Sequence, residues 1–375
     1  MIRRILTPFI VALKGRPSPA LLETAIRKND LPEIKGLLLK GADLTAPLPD
    51  GNLALHLAAK TGNIKILRFL LRRMNINAPN REGAPPLFTA LECKESESIH
   101  YLIKKGCDLA VRDNKGFTAI HKSAASGDIE TTRLLVSKGL DVNDQSNPEK
   151  TSPLHEAVRS GNISLIDFLL EQGARINAEN NEGTPFYWAA CFGEMNVADH
   201  LLQKGADPTI PGKGGSPLIL TATFGRDLIF EKILKKHPRQ INDMDPRTGE
   251  NPLHAAIRNG NYKFFSLLVS HGADIHARDK NGDMPIHLAA HQGNVDIAKS
   301  LILRGADVNR QNDEGATPLL LATKVNNPAM VKCLLQKGAD PSIADRHGNT
   351  PAVHAGIHHL RKITELLNAY QTGNV

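Results

Sequence analysis

The stretch DKNGDMPIHLAAHQGNVDIAKSLILRGAD, residues 279–307, decides how this chain is read. Asp279-Lys-Asn-Gly282 is turn chemistry, because Asn and Gly tolerate positive φ. After Met284, Pro285 suits a first helical position, where its missing N–H costs nothing. Ile286 to Ala290 then reads as a short helix whose Ala289-Ala290 pair permits close packing, and Gly293 ends it. Val295, Ala298, Leu301 and Ile302 follow at i, i+3, i+6 and i+7, the expected apolar face of a second helix. Gly305 closes that helix as a left-handed cap, and Ala306-Asp307-Val308-Asn309 leads into the next turn.

The same unit returns in both directions at a spacing near 33 residues: turn glycines stand at Gly249, Gly282, Gly315 and Gly348. The proline slot recurs as Pro153, Pro185, Pro217, Pro252, Pro285, Pro318 and Pro351, with earlier copies at Ala54, Pro86 and Ala119. Thr184, Thr317 and Thr350 precede the proline, where a hydroxyl can cap first-turn amides. Ile64, Leu67, Leu70 and Leu71, and again Tyr262, Phe265, Leu268 and Val269, repeat the second-helix spacing. A fixed period of this length, with helix-turn-helix signals inside each unit, predicts an all-α solenoid of stacked modules rather than two or three globular domains.

These elements together, Gly-x-Thr-Pro-Leu-His-x-Ala-Ala and Leu-Leu-x-x-Gly-Ala-Asp, resemble the ankyrin repeat over nearly the whole chain, from about Ala20 to Tyr370. The resemblance implies an ankyrin-repeat α-solenoid with β-hairpin-like turns. An N-terminal extension (1–19) precedes repeats near 20–48, 49–79, 80–111, 112–143, 144–178, 179–210, 211–243, 244–277, 278–310, 311–343 and 344–370, and a tail (371–375) follows. Leu21 to Ala46 lacks the hairpin signature, as an N-terminal cap would. Arg361, Lys362, Glu365 and Asn368 suit a polar C-terminal cap. Arg72-Arg73-Met74-Asn75 and Lys236-His237-Pro238-Arg239 replace the usual Lys-Gly-Ala-Asp, and Ser146 to Lys150 lacks the turn glycine.

Composition agrees with many small interfaces: 41% hydrophobic residues but only 4% aromatic. The formal charge of +7 favours acidic partners without bearing on fold. The four cysteines, Cys93, Cys107, Cys191 and Cys333, show no Cys-x-x-Cys spacing and suit a reducing compartment. No stretch approaches the roughly 20 apolar residues of a membrane-spanning helix. Met1 to Leu13 faintly resembles a signal peptide, but Pro8 interrupts it and Lys14 and Arg16 follow. A helix or strand covering the first repeat is expected there instead.

Little sequence remains for chemistry outside the repeats. No catalytic residue, cofactor site or metal ligand is expected. His56, His121, His155, His254 and His287 share one slot, which by resemblance holds a structural histidine bonding between neighbouring hairpins. His354 and His358 are i, i+4, but zinc needs three or four convergent ligands and the sequence supplies no others nearby. Gly212-Lys-Gly-Gly215 reads as a turn, not a phosphate loop. Leu31-Pro-Glu-Ile34 superficially resembles the opening of an F-box and aligns equally with a second repeat helix. Lys232, Lys235, Lys236, His237 and Arg239 read as a solvated helix end or a nuclear signal.

By resemblance, partner contacts come from the hairpin tips and from the two positions after the Ala-Ala pair, on one concave side. Phe192 and Phe224 occupy equivalent slots in adjacent repeats, Trp188 lies one helical turn before Phe192, and Tyr187 fills the histidine slot. Such a cluster reads either as a binding hot spot or as packing against the hairpins. Lys60, Lys122, Arg159, Arg258 and Lys324 outweigh Glu92 and Glu156, and His291 and His358 can add charge below neutral pH, so the flanking groove is expected to be basic; Phe117 at a hairpin tip is a further candidate contact. The expected activity is non-catalytic: a monomeric scaffold, adaptor or inhibitor binding another protein that presents an acidic surface or peptide.

The resemblance also implies regulators of eukaryotic cells, or a host-directed effector of an intracellular bacterium, acting in the cytoplasm or nucleus. Alternatives are a nucleic-acid-associated nuclear regulator and a ubiquitin-ligase substrate adaptor. Asn143, Asn177 and Asn309 sit where some ankyrin repeats are hydroxylated.

Overall fold

The computed structural model describes residues 17–372. Within them 22 α-helices follow one another in pairs, two to a repeat, and the one recorded bridge joins Gly212 and Gly215. The first helix of the first repeat begins at Pro19 and the last helix ends at Gln371, one residue beyond the expected limits at each side. The Met1–Leu13 reading lies outside the described residues. The described residues divide into two compact units, 17–181 and 182–372.

Local chemistry accounts for the helix starts. Thr184, Thr317 and Thr350 accept hydrogen bonds from the backbone N–H groups of Tyr187, Leu320 and Val353, ahead of a proline in the first turn. Six of the second helices are capped by Asx side chains: Asp30, Asn63, Asp128, Asn162, Asn261 and Asn327 each accept from the amide three residues on. The capped Asp30 and the first-turn Pro32 place Leu31–Ile34 at the start of an ordinary second helix, Leu31–Leu39.

Three kinds of hydrogen bond tie neighbouring repeats within each unit. At the hairpin tips, backbone amides bond back to the preceding tip. In the first unit these include Arg81 to Gly51 (3.2 Å), Asn114 to Glu82 (2.8 Å) and Asn181 to Glu149 (3.0 Å). In the second they include Lys213 to Glu182 (2.9 Å), Lys280 to Thr248 (2.9 Å), Asp313 to Asn281 (3.0 Å) and Arg346 to Glu314 (2.9 Å). Under the tips, buried imidazoles reach carbonyl oxygens: His56 to Ala84 (2.8 Å), His121 to Thr151 (2.9 Å) and His254 to Asp283 (3.3 Å). At the far end, Asn143 and Asn309 accept from Arg175 N–H (2.8 Å) and Asp340 N–H (2.7 Å) in the following repeat. The structural role expected of the histidine slot is therefore observed.

The core is a chain of thin interfaces. First helices pack on first helices of the next repeat through Ala and Leu, as in Leu288, Ala289 and Ala290, all buried. The second-helix face differs from the sequence reading by a fraction of a turn. Ile297, Ala298 and Leu301 are buried, whereas Val295 and Ile302 are half-buried. Likewise Ile66 and Phe264 are buried, while Ile64 is half-buried and Tyr262 is 52% exposed. Both sets satisfy a helical period. The neighbouring first helix meets the stripe two residues further along.

The irregular junctions keep the fold by local substitutes. Lys150 takes φ +56° in place of the missing turn glycine. Pro238–Asn242 forms a 3-10 turn where Gly-Ala-Asp is absent. Arg73 caps the shortened junction of the second repeat by donating to the Phe69 carbonyl (3.1 Å).

Candidate functional site: the tip and first-helix face

The aromatic cluster lies in the second unit, on the first helix Pro185–Phe192 and its neighbour Pro217–Phe224. Trp188 is half-buried and meets Phe192 edge to face, with centroids 5.4 Å apart and planes at 86°. Phe192 and Phe224 are 54% and 49% exposed, whereas Phe88, Phe186, Phe230, Phe264 and Phe265 are fully buried. An edge-to-face pair gains about 0.5–1.5 kcal/mol beyond its buried area, which holds the ring pair in place.

Tyr187 has a different position. It is buried, and its hydroxyl accepts from the Gly214 N–H at 2.6 Å, so it ties its helix to the next hairpin tip as the histidines do elsewhere. Its ring explains the glycine-rich turn: a Cβ on Gly212 would stand 2.5 Å from the ring carbon bearing the hydroxyl. Burial, then the neighbouring Cys191, pushes the Tyr187 hydroxyl up to about 12. Burial likewise pushes the Cys191 thiol up to about 11, against a hydrogen bond from Tyr187, so it is protonated at neutral pH and a poor nucleophile.

A pocket of about 360 Å³ opens beside these groups, floored by Tyr187, Trp188, Cys191 and Phe192 and rimmed by Glu182, Lys213 and Arg247. Lys213 pairs with Glu182 (2.8 Å) and Arg247 with Asp245 (3.1 Å), both cations remaining more than half exposed. The concavity is apolar at its base and carries oriented charge at its lip.

The groove cations expected from the sequence are mostly neutralised. Lys122 bonds Glu92 (3.2 Å) and the buried Asp113 (3.0 Å). Burial opposes its charge, but these carboxylates outweigh burial and hold the amine above its ordinary range. Arg159 grips Glu156 through two nitrogens, Arg258 pairs with Glu250, and Lys324 lies 3.5 Å from Asp345. Lys60 and His291 are exposed on their helices. Phe117 is half-buried, packed on His121 with centroids 5.3 Å apart, rather than presented at the tip. The pairing acids at Asp113, Glu250 and Asp345 come from the hairpins and offset much of the positive excess expected of the groove.

Among the described residues no group of three His, Cys, Asp or Glu side chains is placed to hold a metal ion, and no helix is long and apolar enough to cross a membrane. His354 and His358 stack with centroids 4.3 Å apart. Lys232 of the basic cluster pairs with Asp199 on the outer helices.

A stack of paired helices, tied tip to tip and displaying side chains along its first-helix face, defines an all-α repeat solenoid, the class of fold that serves as a protein–protein interaction module. The chain belongs to the ankyrin repeat family: a profile described as "Ankyrin repeats (3 copies)" matches residues 22–113, 106–180, 186–279 and 286–374. A second, "Ankyrin repeats (many copies)", matches 265–302. Similar proteins include the human transient receptor potential cation channel subfamily A member 1, 29% identical over 166 residues, 42% of this chain and 15% of the relative. Human Rabankyrin-5 is 29% identical over 148 residues, 38% and 13% of the two chains. The Drosophila melanogaster NF-kappa-B inhibitor cactus is 31% identical over 157 residues, 41% and 31%. The chain thus matches less than a third of the length of each relative. Repeats of this fold act in general as non-catalytic scaffolds.

Proposed function

We propose that this protein is a binding scaffold, an adaptor or inhibitor, that grips a partner protein on the tip and first-helix face of its second unit. The partner would insert an apolar side chain into the pocket beside Trp188 and Phe192 and place carboxylates against Arg247 and Lys213. The observation that supports this most is that Phe192 and Phe224 are the exposed phenylalanines among the described residues, next to an apolar pocket with a charged lip. Large rigid rings of this kind lose little entropy on binding and dominate interface energy. The inhibitor named among the relatives gives the reading a precedent in kind, not an assigned partner.

Trp188 is the single tryptophan of the chain, so its emission reports directly on the pocket. Proximity labelling in the native cell followed by affinity capture supplies candidate partners. A partner using this face shifts the emission of Trp188 to the blue, and Trp188→Ala with Phe192→Ala weakens its binding by at least about 2 kcal/mol. Capture of the same partners, at unchanged strength, by a folded double variant would place the interface elsewhere.

A further inference from the structure

Basic side chains also gather at the ends of the second helices of repeats two and three. Helices Ile64–Leu70 and Ser96–Lys104 end side by side, and between their last turns lies a cleft of about 790 Å³. Arg68, Arg72, Lys104 and Lys105 line it, with Tyr101 and an apolar floor that includes Leu71 and Met74. No acidic residue occurs in the lining, and none occurs between Ile64 and Asn80 or between Ser98 and Gly106.

The usual partners of such cations are absent here. Basic residues in a last helical turn normally answer the carbonyl pole, and at this junction Arg73 does so through its bond to Phe69. Arg68 and Lys105 lie 5.9 and 5.7 Å from the centroid of the Tyr101 ring, and among the described residues no ion pair is found to any of the four lining cations. In repeats six and seven the outer-helix surface is relieved differently: there Lys232 pairs with Asp199 at the edge of a comparable hollow. The cleft also coincides with the break in the repeat, where Arg72-Arg73-Met74 stands in place of Lys-Gly-Ala.

We propose that this cleft binds a small molecule or headgroup carrying two or more phosphates on a compact frame. Two guanidinium groups provide the planar forks that match phosphate oxygens, and two ammonium groups supply further charge. The volume is within the roughly 300–1,000 Å³ of small-molecule sites and far exceeds a single phosphate. The apolar floor and the Tyr101 ring face the frame that joins the phosphates.

The test uses the full chain and the Arg72→Gln/Lys104→Gln variant, both positions being exposed so that the core is untouched. Calorimetric titration with inositol trisphosphate at physiological salt should give saturable binding that the variant weakens about ten-fold or more. Arg159→Gln/Arg258→Gln, on the other face, should leave it unchanged. Flotation with phosphatidylcholine vesicles, with and without phosphatidylinositol bisphosphate, distinguishes the sources. Selective flotation competed by free inositol trisphosphate assigns a lipid headgroup, and binding without flotation assigns a soluble ligand. The proposal is overturned if the wild type shows no saturable binding, if Arg72→Gln/Lys104→Gln binds as tightly as wild type, or if a glutamate decapeptide binds the cleft more tightly than the phosphate probe.

Discussion

His121 joins two repeats through one ring: its Nε2 lies 2.9 Å from the Thr151 carbonyl oxygen, and its Nδ1 lies 3.3 Å from the Thr118 backbone nitrogen. With Nε2–H donating and Nδ1 accepting, the neutral ring satisfies both neighbours. A proton on Nδ1 would face the Thr118 N–H. His56 bridges in the same manner, to Leu53 and Ala84, and His287 links Met284 to Arg310 at the end of its own repeat.

Stability should therefore fall as the solution is acidified. Burial above all holds His56, His121, His254 and His287 below the ordinary value of 6.5, against the pull of their carbonyl acceptors and nearby carboxylates. Below 6.5 the unfolded chain takes up protons that the folded chain refuses, so their stabilisation is complete above that pH and declines beneath it. The carboxyls of Asp144 and Asp345, lowered from 3.8 by hydrogen bonds and nearby cations despite burial, act only in more acidic solution. Urea midpoints measured between about pH 7.5 and 4.5 should drop once pH passes below about 6.5. A flat profile would mean that these imidazoles are not buried neutral bridges.

The hairpin tips separate two backbone effects. Gly315 has φ +79°, and a Cβ there would stand 2.9 Å from the Arg346 nitrogen of the next tip. Gly315→Ala should cost about 1–3 kcal/mol in denaturant unfolding. Lys150 already holds a left-handed φ, so Lys150→Gly should be neutral or stabilise by about 0.5 kcal/mol. Equal destabilisation by both would contradict the tip geometry.

Asn309 spans a junction with both ends of its amide, accepting from Asp340 N–H and donating to the Gly338 carbonyl (3.3 Å). Asn143 does the same toward Arg175 and Gly173. Each Asn→Ala change should cost about 1–2 kcal/mol. The two belong to different units, and their effects should add to within about 0.5 kcal/mol. A strongly non-additive double variant would show that the two junctions are energetically coupled.

Thiol chemistry offers a check on the aromatic pocket. Cys93 is exposed, whereas burial pushes Cys107 and Cys191 up to about 11. Iodoacetamide at neutral pH should label Cys93 first, with Cys191 lagging. Rapid labelling of Cys191 would point to a stabilised thiolate and a reactive pocket instead of a binding one.

The register of the second helices can be read by truncation. Ile297→Ala, at a buried position, should cost about 2–5 kcal/mol, and Val295→Ala, half-buried, about 1 kcal/mol or less. The helical period alone admits either Val295 or Ile297 on the apolar face. Only the neighbouring helix selects between them.

Much of the molecule is set within single repeats. Turn glycines, the Thr-Pro starts and Asx caps act over three or four residues, so their placement is legible from spacing alone. The histidine slot is legible because one repeat predicts the environment of the next. The electrostatics of the face are not, because Lys122 finds Glu92 thirty residues away and Arg258 finds Glu250 across its own hairpin. Nor is the basic cleft, whose four cations come from two helices that only stacking makes neighbours. Local hydrogen bonds and the repeat period thus fix the fold, while charge and surface chemistry depend on which distant side chains the packed repeats bring within a few ångströms.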